Sequence, residues 1–267
     1  MTGCPLRLLL LLAAAWLSPS ARASEAQPCG PDVVELAGHF LGVADFDAGG
    51  DASPVIAFAC RPAPDQPGVL LAAFAYTVSP GGKPPPEYEK QLALLVIDRA
   101  RHRVLASRKE VISEDAVTRV GTDSLLLDTA RYLLAPGVRA FGLRFRSAGV
   151  GPGCADNTAG ELLTLYVPEG RTLRPVLKLD MSAARALAGC VGHGGPASIV
   201  ESASLTLAMA PTRTQGYADI VVRASIDAWG GDEAKAEDVP KARIETITLH
   251  YDGRRYPVAG EWWLNNW

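Results

Sequence analysis

The sequence predicts an all-β fold with little helix, and three observations carry that reading. Apolar residues recur every second position in several runs. Other runs are apolar almost without interruption for five to ten residues, and glycine- and proline-rich breakers separate the two kinds. Period two is the spacing of a strand with one buried face. In AFGLRFR, Phe141, Leu143 and Phe145 alternate with Gly142, Arg144 and Arg146. In ETITLHY, Ile247, Leu249 and Tyr251 alternate with Thr246, Thr248 and His250. The continuous runs from Val55, Val69 and Leu92 read as central strands covered on both faces.

The amino terminus is expected to be a cleavable export signal over residues 1–23. Arg7 supplies the positive start, Leu8 to Leu17 an apolar stretch, and Ala21-Arg22-Ala23 a small-x-small cleavage site. That stretch is half of the roughly 20 apolar residues that span a bilayer, and no later stretch approaches that length. The single β-rich domain then runs from 24 to 267. Export to the periplasm or the medium makes the cysteines informative. Cys4 leaves with the signal, and an even set remains: Cys29, Cys60, Cys154 and Cys190. We expect two disulfides, with Cys29–Cys60 and Cys154–Cys190 preferred because each closes a short local loop. A metal role for Cys190 with His193 needs further ligands that the spacing does not supply.

Removing the signal takes away Arg7 and Arg22 and no acidic residue, so the formal charge moves from −3 to −5. A nucleic acid or an anionic lipid surface demands a dense basic face, so neither is expected as a bulk partner.

Pro62, Pro64 and Pro67 separate the first two runs, Ser79–Pro86 (SPGGKPPP) is a stiff excursion, and Gly230–Pro240 is a charged loop. The best helix candidate is MSAARALAGC from Met181, ending near Gly189. An internal echo relates 124–176 to 204–258, with a looser copy at 53–106. Each unit reads strand, turn, strand, long loop and hairpin, the hairpins turning at Glu169-Gly170 and Asp252-Gly253. Four-stranded antiparallel units of this kind pack as a β-sandwich or as a small, incomplete propeller. Related units place Phe141, Leu143 and Phe145 on the face that Ile220 and Val222 occupy, and match Leu163 and Leu165 with Ile247 and Leu249.

VADFDAGGD from Val43, and YADIVVR followed by LHYDGRRY, resemble pieces of the FG-GAP type of β-repeat found in secreted bacterial proteins and propeller-shaped adhesion domains. The resemblance implies a calcium loop whose candidate ligands are Asp45, Asp47 and Asp51. Alternating carboxylates suit a hard cation that takes six to eight oxygens. Three carboxylates fall short of that number, so no cofactor is expected and calcium is the one metal the pattern admits.

No nucleophile elbow, zinc helix motif or phosphate loop occurs. Among His39, His102, His193 and His250, His250 is best placed for acid–base work, beside Thr248 on the polar side of a strand. The acidic pairs Asp232–Glu233 and Glu237–Asp238 lie in the charged loop, where they serve solubility better than glycoside hydrolysis. Trp262, Trp263 and Trp267 crowd the carboxyl end, offering rigid apolar faces for a carbohydrate or protein partner or for a sheet edge. The sequence therefore favours an exported non-enzymatic binding protein over a secreted hydrolase with dispersed catalytic residues.

Overall fold

The computed structural model describes residues 28–48, 53–77, 86–192 and 195–258. The expected export signal, Asp51, His193 and the three carboxyl-terminal tryptophans lie outside them, as does most of the SPGGKPPP excursion. Strands make up 59% and helix 6% of the described residues, and all but two short strands belong to one large, nearly closed barrel-like sheet.

The chain opens with α1 (Pro31–Leu41). Extended Gly30 precedes proline at the first helical position, where its missing N–H costs nothing. Val33, Val34, Ala37 and Leu41 form the buried stripe. Gly42, left-handed at φ 71°, ends the helix, and Val43 N–H reaches back to Gly38 O at 3.1 Å.

Four antiparallel strands follow: β1 (Val55–Pro62), β2 (Val69–Tyr76), β3 (Glu89–Asp98) and β4 (Arg103–Ser113). The continuous apolar runs of β2 and β3 are buried on both faces, as expected, whereas β1 is not central but the edge of the sheet, and its Ile56 and Phe58 are only half-buried. Leu70, Ala72, Phe74 and Tyr76 of β2 pack beneath α1, while Leu71, Ala73 and Ala75 face the opposite way. The Cys29–Cys60 disulfide fastens the helix to β1.

Next come β5 (Leu125–Ala135), β6 (Val138–Arg146), the two-residue β7 (Cys154–Ala155), β8 (Asn157–Glu169) and β9 (Thr172–Ala188). β5, β6, β8 and β9 form a middle layer in antiparallel order. Glu169-Gly170 makes the β8–β9 turn, with Gly170 at φ 59°. Then β10 (Val191–Gly192) pairs with β7 beside the Cys154–Cys190 disulfide. β11 (Ile199–Thr214), β12 (Tyr217–Gly230) and β13 (Arg243–Leu249) extend the sheet from β9, and the Gly230–Pro240 loop holds a 3₁₀ turn at Ala236–Asp238.

The sheet folds back on itself so that the middle layer has a core on each side. The first core joins Ala57, Leu71, Leu94 and Val96 to Leu127, Phe141, Leu143 and Tyr166. The second joins Leu163, Leu165 and Leu179 to Leu205, Ile220, Val222 and Leu249. β1 and β2 lie against β5. Arg61 crosses there to donate to Leu127 O at 3.0 Å, and Arg139 pairs with Asp65.

Three sequence expectations need correction. Met181–Ala188 is strand, because two-sided pairing with β8 and β11 outweighs the helix propensity of its alanines. Phe141 and Leu143 enter the first core whereas Ile220 and Val222 enter the second, because the middle layer is apolar on both faces; Leu163, Leu165 and Leu249 do share one core. After β13 the chain turns at Asp252-Gly253 with no returning strand among the described residues, and Tyr256 N–H instead donates to Val176 O at 2.7 Å.

Candidate functional site

β4 and β9 meet as parallel neighbours at a single pair, Ser107 with Thr172. Beyond it they part. Among the described residues no strand pairs with the facing edges of Arg108–Ser113 and Leu173–Met181. Among the described residues the split leaves the first core open at one end as a cleft of two adjoining hollows, about 370 and 340 Å³, sharing Glu110, Thr164 and Lys178.

Leu92, Leu143, Phe145 and Tyr166 line the larger hollow, and Val111 and Val117, 51% and 46% exposed, lie at its rim. Charge is set around this apolar floor by strand periodicity. Arg108 and Glu110 stand two apart on β4, and Lys178 and Asp180 two apart on β9. Arg108 Nε donates to Glu110 Oε1, whose Oε2 lies 3.3 Å from the Tyr166 hydroxyl. Burial, and then the Glu110 charge, push the Tyr166 phenol well above its usual range, so it remains a neutral donor. Glu161 pairs with Arg144, and with Arg146 at 2.8 Å. Arg108 and Arg255 mark one end of the cleft, and Glu161 and the buried Asp180 the other.

Among the described residues no histidine or cysteine lines either hollow. Glu110 and Glu161 each face an arginine. The cleft is equipped to hold a ligand by hydrogen bonds, charge and apolar contact.

The residues singled out in the sequence lie elsewhere. All four cysteines form the two structural disulfides. Asp45 and Asp47 lie in the turn after α1, on a hollow of about 720 Å³ shared with Glu35 and His39. Among the described residues no three His, Cys, Asp or Glu side chains are grouped to hold a metal. His250 Nδ1 lies 3.1 Å from Asp219 Oδ1 and 3.2 Å from Thr214 Oγ1. Both partners meet the same ring nitrogen, so the arrangement lacks the two-nitrogen relay of an acid–base triad. Hydrogen bonding led by Thr212, against the opposing effect of burial, holds Asp219 below the usual carboxylate range.

Sequence reasoning missed Arg108, Glu110, Thr164, Tyr166, Lys178 and Asp180. The signal available was charge at period two in SRKEV and LKLD, which by itself reads as a solvated strand face. Comparison with family models, curated proteins and solved structures gives no match for this chain, so the cleft is read from its own geometry.

Proposed function

We propose that this chain is an exported, non-enzymatic binding protein of the envelope or extracellular space, and that the split between β4 and β9 is its ligand site. One observation carries the reading: among the described residues the end of a buried core stands open, with an apolar floor and with exposed Val111 and Val117 beside charged groups at the rim. Concave apolar surface with a few placed polar groups is the common form of a binding site. The export signal supports the location, and the two disulfides suit an oxidising compartment. A secreted hydrolase is the second reading, favoured because Glu110, Glu161 and Asp180 line one hollow.

A thermal-shift panel of oligosaccharides and short peptides, run beside chromogenic glycoside and ester substrates, separates the two. Binding without turnover, lost in Thr164→Trp, supports the first. Turnover lost in Glu110→Gln supports the second, and neither binding nor turnover overturns both. Fractionation of cells carrying the full chain tests the location: protein retained in the cytoplasm overturns it.

A further inference from the structure

Resting on the reading of the cleft as the ligand site, we propose that its occupant is an extended peptide segment of a partner protein, inserted as a strand between β4 and β9. The two walls are edges of one sheet, joined at Ser107–Thr172 and unpaired with any strand beyond it among the described residues. Backbone N–H and C=O groups on such edges are templates for strand addition. At about 3.3 Å per residue, the edge from Arg108 to Ser113 accommodates about 20 Å of extended chain. At Val176 the β9 edge is already met by this chain's own Tyr256, whose N–H donates to Val176 O at 2.7 Å, so the inserted segment pairs with β9 beyond that point.

Charge sets the direction. β4 and β9 run parallel, so their starts lie together at the end where Arg255 stands. Arg108 is engaged by Glu110, and Glu161 by Arg144 and Arg146. An inserted strand antiparallel to both walls gains the more stable ladder. Its carboxyl-terminal end then meets Arg255, so the segment recognised bears an acidic residue towards its end. Ahead of that residue, alternate apolar side chains point to the floor of Leu92, Leu143 and Phe145.

The test is a display library of random eight-residue peptides panned on the full, disulfide-bonded chain, with the enriched peptides synthesised. Because successive backbone groups of a strand point to opposite edges, methylating the odd-numbered nitrogens disrupts pairing with one wall and methylating the even-numbered ones disrupts the other. Both series are expected to weaken binding at least about tenfold. Hydrogen exchange should slow in both 108–113 and 177–181. Arg255→Glu should weaken peptides with an acidic end, and exchanging that acid for lysine should restore them.

A methylation series silent for either wall overturns strand insertion. If Thr164→Trp still abolishes binding, the cleft remains the ligand site and only the insertion falls. Enriched peptides indifferent to both Thr164→Trp and Arg255→Glu bind elsewhere and overturn both readings. Cross-linking that places a second copy of the chain, or this chain's own residues 259–267, in the cleft overturns the partner segment.

Discussion

Arg144 donates from Nε to Asp128 Oδ2 at 2.8 Å, and the same oxygen accepts from the Tyr132 hydroxyl at 2.8 Å. The arginine alternates with apolar neighbours and reads in sequence as solvent-facing. In the fold its side chain is 17% exposed and bridges Asp128 to Glu161 across the middle layer. Burial opposes the guanidinium charge, but Glu161 and Asp128 outweigh it and raise its affinity for the proton.

Arg144→Ala should therefore destabilise the protein by about 3 kcal/mol, because it strands a buried carboxylate. Thr248→Ala, on an exposed position of β13, should cost about 0.5 kcal/mol or less. Urea unfolding of the two variants decides the point, and equal losses would contradict the network.

Gly142→Ala should cost about 1–3 kcal/mol by overpacking. A Cβ there meets Leu163 Cδ1 at 2.6 Å and Asp128 Cβ at 3.1 Å. An unchanged melting temperature would show that the β6–β8 contact is looser than described.

How far the sequence reveals this fold depends on whether the signal is local. Strand alternation in AFGLRFR and two-sided burial in VLLAAFAY are local and were legible. So was the cysteine pairing, since each bridge closes a short loop. The motif of α1 was equally local, with proline at its start, a stripe of Val33, Val34, Ala37 and Leu41, and Gly42 at its end, but the strength of the β pattern around it drew the reading away. Met181–Ala188 misled because alanine favours helix only until strands supply pairing on both sides. The cleft has no local signature. Glu110 and Asp180 come together because two distant strands part after one shared pair, which is a property of the sheet and not of either segment.

The buried Glu201 gives a pH dependence. Arg243 and then Arg185, acting against burial, hold its carboxyl below the usual range, and Arg185 Nη2 lies 2.8 Å from Oε2. A depressed folded-state pKa contributes stability above the ordinary carboxyl pKa and loses it as pH falls through the folded value. Glu201→Gln should therefore be least stable relative to the parent at neutral pH. Urea midpoints from about pH 7 down to about pH 3 should converge; parallel curves would remove Glu201 as a source of the acid sensitivity.

The Cys29–Cys60 bridge spans 31 residues and ties α1 to β1. In the chain-entropy model its loss costs about 3–4 kcal/mol. The double variant Cys29→Ala/Cys60→Ala should show that drop in chemical unfolding, with hydrogen exchange rising first in Pro31–Leu41. Full protection of the helix in the variant would mean that apolar packing alone retains it.

β9 pairs with β8 along most of its length, with β11 near its end and with β4 at its start. A slip of one residue in this strand would exchange the side chains that it sends to either side of the middle layer, and three neighbours would have to move with it. The two cores therefore share a party wall. Neither can loosen without exposing the back of the other, and the molecule has no seam along which it divides into halves that fold alone.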